Sequence, residues 1–439
     1  MPCCMGCLIF SGAGGERCRP ERINGDMKVF FLSYWFPYPP DNGSRIRVFN
    51  FIKALSAKHD VHLFALLQAD SDPKNTAALE QYCRVVATYP LPGPRKSLSA
   101  SLWMFAKRPR SIITRFDPEL YQKVQQSIRD IQPDVIVVSM VDVAEYVTFG
   151  KTGIPCVLID HNCEFGVLQR LGNSVSSLPA KLRFEMTWRK FAAWEASILK
   201  EFDRVVMPNE EDKQKMEQYA PSVDNIHVIP NAADTDYYDA AQWSPEPHVL
   251  VYNGALTYGP NFDAVLYYKE SIYPSLAKIY PNIQLLVTGR YDGVNVEKLM
   301  DCPGIKLTGY VEDIRDVLYR STACIIPLRR GGGMRLKIPE AMAAGLPVVS
   351  TSMGAEGLDC IHEKHLLIAD TPDDFVKAIC RIIEDKPLVQ SLRQNGRELV
   401  ETKYSWNRNA GLFVDLIESI APNGNSVHAQ ETIISKRAA

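Results

Sequence analysis

Several marks of other protein classes are missing from this sequence. No apolar run approaches the roughly 18 residues that a membrane-spanning helix needs. Charges nearly cancel, at −2 over 439 residues, so no general affinity for nucleic acid is implied. The eleven cysteines are scattered and odd in number, which argues against a disulfide scaffold and for a reducing cytoplasm. Cys4 and Cys7 form a C-x-x-C, but no second pair follows to complete a zinc site. There is no G-x-G-x-x-G, so a dinucleotide fingerprint is absent. Residues 1–26 lack the charged start and long apolar core of a secretory signal. Met27 leads directly into an apolar run, so 1–26 are expected to be a misread start or a disordered tail.

What is present is an alternation of short apolar runs and amphipathic stretches, in two rounds. Lys28 to Trp35 and Val61 to Leu67 are strands of the buried type, separated by the turn-rich segment F-P-Y-P-P-D-N-G-S and a helix near 45–58. Gly43 stands at that helix start, where backbone can meet a ligand. Strands at 134–139, 156–160, 204–208 and 226–229 continue a parallel sheet. A polar stretch at 230–247 forms a linker. The pattern then restarts with strands at 249–252, 283–288, 305–307, 324–328 and 348–351, and helices near 262–279 and 311–320. Helices are predicted near 371–385, 388–402 and 406–420, followed by a polar tail at 422–439. The fold class is α/β: two doubly wound, Rossmann-like domains, at 27–229 and 248–405, with a cleft between them.

The richest stretch is 325–351, I-I-P-L-R-R-G-G-G-M-R-L-K-I-P-E-A-M-A-A-G-L-P-V-V-S-T. It predicts strand, glycine loop, short helix, turn and strand. Gly331, Gly332 and Gly333 let the backbone approach a ligand closely. Pro339 belongs in the first helical turn, so the helix starts beside the glycine loop with its free N–H groups facing it. Arg335 and Lys337 add two positive charges, and Glu340, one turn in, is a carboxylate suited to two hydroxyls of a ribose. The combination asks for a diphosphate with a sugar attached. A basic surface loop before a core helix would explain each residue singly, but not all of them on one turn.

D-H-N-C-E at 160–164 follows a buried strand, at the end that faces the ligand crevice of a parallel sheet. His161 there is placed to act as a base or touch a substrate. His161, Cys163 and Glu164 are too close together, and too unsupported elsewhere, to hold a metal. Asp234 and Asp236 form a D-x-D, but in the linker and not after a buried strand. Two segments mix basic and aromatic residues: 95–110, with Trp103 and Phe105, and 181–194, with Trp188, Phe191 and Trp194. Such segments suit an anionic membrane surface or, alternatively, a core helix with a solvated basic face.

With these residues quoted, the sequence resembles glycosyltransferase family 4, the retaining sugar transferases of the GT-B fold. The resemblance rests on F-P-Y-P-P-D-N-G-S-R-I-R at 36–47, D-H-N-C-E at 160–164, V-I-P-N-A-A-D at 228–234, N-G-A-L-T-Y-G-P-N-F-D-A at 253–264 and the 331–351 stretch. It implies a UDP- or GDP-linked sugar donor held by the C-terminal domain and a glycan or lipid-linked acceptor on the N-terminal domain. It also implies a last helix, 406–421, crossing back to the first domain. His161, Arg335 and Lys337 become the candidate catalytic residues. Gly43, Gly254, Arg290, Gly332, Gly333, Met334 and Glu340 become the donor site, and Asn162 and Glu164 the acceptor side. No metal or other cofactor is expected, and no nucleic-acid partner. The setting implied is the cytoplasm, at the inner face of the cell membrane.

Two departures stand out. Gly332 occupies the place of the glutamate that usually opens the family's motif and contacts the donor sugar. The usual lysine after the first glycine loop of the second domain is missing, with Y-G-P-N at 258–261; Arg335 and Lys337 are candidates to supply that charge. A loop of the G-G-G-M-R-L-K type resembles a subgroup found with cell-surface polysaccharide synthesis. A nucleotide-sugar epimerase of the same fold, or a catalytically silent nucleotide-sugar binder, would carry the same phosphate loop. Products from donor alone would mark the first, and the absence of turnover the second.

Overall fold

The structure, a computed structural model, describes residues 27–69, 71–94, 106–148, 153–173 and 177–421. Residues 1–26 and 422–439, and most of the 95–110 basic segment, lie outside the described residues. Two parallel sheets organise the rest. The first runs β3-β2-β1-β4-β5-β6-β7 and the second β10-β9-β8-β11-β12-β13. The first comprises β1 (Lys28–Ser33), β2 (Asp60–Leu67), β3 (Val85–Pro90), β4 (Val135–Ser139), β5 (Cys156–Ile159), β6 (Arg204–Met207) and β7 (Ile226–Val228). The second comprises β8 (Val249–Asn253), β9 (Gln284–Thr288), β10 (Ile305–Gly309), β11 (Ala323–Ile326), β12 (Val348–Ser350) and β13 (Leu367–Ile368).

Both sheets reverse direction of growth at their centre, between β1 and β4 and between β8 and β11. A crevice opens at such a point, because the loops leaving the two strands diverge to opposite faces. The helices that meet these crevices are α1 (Gly43–Ser56), α2 (Glu164–Asn173), α3 (Leu178–Leu199), α4 (Glu210–Tyr219), α5 (Gly259–Tyr267) and α6 (Lys337–Ala343). Two more close the chain, α7 (Lys386–Lys403) and α8 (Trp406–Ile420).

The central strands are legible as continuous apolar runs because they are buried on both faces. The edges are not. β3 is half-exposed and ends in Pro90, and β13 is two residues long. The helix predicted as one piece over 262–279 is three: α5, a π-helical turn at Tyr268–Ile272, and a helix at Tyr273–Ile279. Pro274 lacks the N–H that would continue the ladder and crowds the carbonyl one turn back, so the helix is re-started there. The helix predicted over 311–320 is one turn, Arg315–Leu318.

The linker is clamped rather than loose. Arg397 of α7 donates to the carbonyls of Tyr238 (2.9 Å) and Thr235 (3.0 Å). Arg393 donates to the Ala240 carbonyl (3.0 Å) and lies over the Trp243 ring at 4.0 Å. α8 packs on α1, with Phe51 and Phe413 stacked at 4.1 Å and Trp406 edge-on to Phe51 at 5.8 Å. Aromatic pairs of this kind add about 0.5–1.5 kcal/mol beyond the area they bury. Phe413, Val414 and Ile417 thereby join the core of the first domain. Among the described residues no helix is long and apolar enough to cross a membrane.

Candidate active site

The donor side is built where β8 and β11 part. β8 ends in Asn253, and Gly254 turns the chain into α5. β11 leads through the glycine loop into α6, whose first residue is Lys337. The Lys337 ammonium reaches back across the sheet end. It donates to the Tyr252 hydroxyl (2.9 Å) and the Asn261 side-chain oxygen (3.0 Å), and sits 4.1 Å from the Tyr252 ring centroid. A Cβ on Gly254 would lie 2.8 Å from that ammonium, so glycine is needed there for the lysine to pass. Lys337 thus lies against Asn261, in the segment where the family's usual lysine is missing.

One turn on, Glu340 accepts from the Asn253 amide at 3.1 Å. Burial dominates both charges. It lowers the Lys337 ammonium to about 7, with Arg335 pushing the same way, and raises the Glu340 carboxyl to about 7 against the pull of Lys337. Arg335 is buried and its pKa is lowered by burial; it donates to the Gly333 carbonyl, while its Nη2 has no protein partner. A buried guanidinium nitrogen with no acceptor carries a desolvation cost that an incoming anion would remove. α6 is only seven residues long, so its dipole is second to these side chains. Arg329 and Arg330, by contrast, are engaged by Asp263 of α5 (2.8 and 3.3 Å).

The other wall comes from the first sheet. Gly43 opens α1, capped by the Asn42 side chain on the Arg45 amide (3.1 Å). The Gly43 Cβ position lies 3.6 Å from Leu336, and that of Gly333, at φ +76°, only 2.5 Å from the Asn162 oxygen. The domains therefore touch at the glycine loop; Gly333 is required by close approach, whereas a Cβ at Gly43 would make an ordinary contact. Met334 is nearly buried in the second core. Arg290 is exposed after β9, with its guanidinium 5.5 Å from the Tyr310 ring centroid.

His161 is buried, its Nε2 2.9 Å from the Ser139 hydroxyl at the end of β4. Burial, aided by Arg47, lowers its pKa to about 3, so the ring is neutral at physiological pH. Glu164 is raised to about 7, first by burial and then by Asp142, against a hydrogen bond from Asn162. Asp160 is fully buried and pushed well up by burial, with Glu164 adding to it. Arg47 is fully buried and spans to the linker, donating to the Ile229 carbonyl (2.8 Å) and Asn231 (2.9 Å).

For the 181–194 segment the fold supports the core-helix alternative over its second half. The aromatics of 181–194 do not face outward. Phe191 and Trp194 are core, and the Trp194 N–H donates to Glu145 at 3.0 Å. A partner for that N–H exists only inside the fold, which turns this face of α3 inward. The exposed apolar stripe of α3 lies earlier, at Leu178, Leu182 and Met186. Of the 95–110 segment, Arg108 is engaged by Glu145 (2.9 Å). The Asp234 carboxylate accepts from the Asp236 and Tyr237 amides (3.2 and 3.1 Å), as a turn does. No group of three or more metal-ligating side chains occurs among the described residues. Periodicity and motif gave no warning of Tyr252, Asn253 and Asn261 as partners of the two charges. Their signal was the N-G-A-L-T-Y-G-P-N stretch, singled out for what it lacked.

Residues 41–237 match the model for Glycosyltransferase Family 4, and residues 247–385 that for Glycosyl transferases group 1. A Klebsiella pneumoniae relative, an "uncharacterized 44.6 kDa protein in cps region", is 23% identical over 393 residues, 86% of this chain and 96% of that protein. Sucrose-phosphate synthase of Thermosynechococcus elongatus superposes with a TM-score of 0.64 at 18% identity, over 89% of this chain and 98% of that one. Anabaena HepE, solved with UDP and glucose, gives 0.64 at 15% identity, over 90% and 100%. The chain thus carries a family 4 glycosyltransferase domain followed by a group 1 glycosyltransferase domain, and it is a glycosyltransferase with the GT-B fold.

Proposed function

We propose that this glycosyltransferase moves a hexose from a UDP- or GDP-linked donor to a hydroxyl of a glycan or lipid-linked acceptor, with retention of configuration and without a metal. The observation that carries the reading is Lys337, half-buried over Gly254 and bonded to two neutral oxygens. A diphosphate supplies a directly bonded counter-charge, where the nearby Glu340 acts on Lys337 only through its field. In the reaction the bond from the anomeric carbon to the diphosphate oxygen breaks, and its electron pair leaves on the nucleoside diphosphate. The acceptor oxygen bonds to the anomeric carbon, and the acceptor's proton leaves with the diphosphate. Lys337 and Arg335 stabilise the charge that develops there, at roughly a few kcal/mol each. Glu340 holds the ribose, and His161, Asn162 and Glu164 face the acceptor.

HepE was solved with UDP and glucose, which favours a UDP-sugar. The cps-region relative favours polysaccharide synthesis; we place the acceptor on a lipid at the inner face of the membrane. The stripe Leu178, Leu182 and Met186, flanked by exposed Lys181 and Arg183, supplies a surface of the right chemistry for anionic lipid. Failure to float with anionic vesicles would remove that part.

The test is a thermal-shift series with UDP, GDP, UDP-glucose, UDP-N-acetylglucosamine and GDP-mannose. Binding to the folded state raises the melting temperature with ligand concentration over affinity. A shift with ligands of one base is expected, UDP first. No shift with any of them at millimolar concentration would overturn the reading.

A further inference from the structure

Gly332 leaves empty the position where a side chain of the loop would meet the donor, and the space above it is filled from the other domain. Arg170, on α2, crosses the cleft. Its Nη1 is anchored on Glu356 of the second domain at 2.8 Å, and its Nη2 lies 3.0 Å from where a Gly332 Cβ would be. Val167, one turn before it on the same helix, comes within 3.7 Å of the same point. Glu356 is braced in turn: the Glu211 carboxyl of α4 lies against it, and Glu211 is paired with Lys215 at 2.5 Å. A guanidinium is a planar fork, and anchoring one arm fixes the direction of the other. The free arm points over the glycine loop, next to Gly333 and the buried Arg335.

We infer that Arg170 is a donor-contacting residue contributed by the acceptor domain. Its Nη2 hydrogen-bonds the hydroxyls of the donor's sugar above Gly332, so the sugar subsite is complete only when the cleft is closed. Glycine at 332 then has a reason: any side chain there would push the guanidinium off the loop. Arg170 is a selector of the donor sugar, while Lys337 and Arg335 hold the diphosphate. The inference rests on the proposed nucleotide-sugar donor.

Calorimetry with UDP and UDP-glucose tests it, or with GDP and GDP-mannose if those are what the unaltered protein binds. The proteins are the unaltered chain, Arg170→Ala, and the exchange Arg170→Glu with Glu356→Arg. Arg170 is half-exposed on a helix surface, so the variants are expected to melt near the parent, which is checked first. Arg170→Ala should keep nucleoside diphosphate affinity within about twofold and lose about tenfold for the nucleotide sugar, as for a lost hydrogen bond from a charged group. The exchange restores an ion pair across the cleft and should not recover the sugar. Equal loss for both ligands, no loss, or recovery by the exchange would make Arg170 a cleft clasp alone and overturn the inference. An unaltered protein that binds none of the four ligands takes the donor reading down, and this inference with it.

Discussion

Lys337, at the second switch point, is bonded to the neutral oxygens of Tyr252 and Asn261, and the Nη2 of Arg335 has no protein partner. At the first switch point Arg47 is tied through Nη1 to the Ile229 carbonyl and Asn231; its Nε and Nη2 are also without a partner but have the Asp160 carboxyl as a neighbour, and His161 is held against Ser139. The contrast lies in what each crevice can still accept. The second keeps positive charge in reserve and is stabilised by an incoming dianion. The first holds Asp142, Asp160, Glu164 and Asp212, all with raised pKa values, and a histidine driven neutral. An anion entering there meets carboxyl groups, whereas a hydroxyl finds acceptors. On the proposed function, one crevice takes the leaving diphosphate and the other a neutral alcohol.

The largest effect should come from removing the reserve charge. Lys337→Ala is expected to lower kcat by about 10²–10³-fold, the range of a lost transition-state donor. Its melting temperature should hold or rise, because a buried cation paired with neutral groups is a cost to the empty fold. The comparison breaks if turnover survives, or if the variant unfolds instead of losing activity.

The same contrast sets a pH dependence. On the proposed function, donor binding requires Lys337 protonated and Glu340 ionised, and each group sits at about 7 in the empty protein. Raising the pH through that value removes the ammonium, and lowering it removes the carboxylate. Donor affinity should therefore be bell-shaped around neutrality, each limb falling by at most about tenfold per pH unit. Lys337→Arg keeps its charge throughout, so it should flatten the alkaline limb and leave the acid limb in place. A titration of affinity against pH for both proteins decides this, and an unchanged alkaline limb would remove Lys337 from the diphosphate.

Much of the second crevice was legible because its chemistry is local. Three glycines, Arg335, Lys337 and Glu340 fall within ten residues of one loop and helix start. The charge that lies over Gly254 was harder, since Lys337 is 83 positions away and reaches it only because β11 pairs with β8. Arg170 was out of reach for the same reason: it meets Gly332 only when two domains close. The buried strands were plain, whereas β3 and β13 were not, because an edge strand is too exposed or too short for an apolar run. The inward face of α3 stayed open in the sequence, since aromatic residues beside basic ones suit a membrane and a core equally until Glu145 is seen to take the Trp194 N–H.

The smallest expected effect bears on His161. A histidine after a buried strand invites the role of general base, but a ring lowered to about 3 and held by Ser139 is neutral across the working range. Its contribution is then to orient, with the Ser139 hydroxyl fixing the angle of the ring. Ser139→Ala leaves the Nε2 without its partner in a buried place, which should cost about 1 kcal/mol of stability. Turnover should fall by only a few-fold, as for a slightly misplaced group. The pH profile should not move, because no limb between pH 5 and 7 belongs to His161. If Ser139→Ala instead brought out a new acid limb in that interval, the ring would be titrating, and the first crevice would hold a usable base after all.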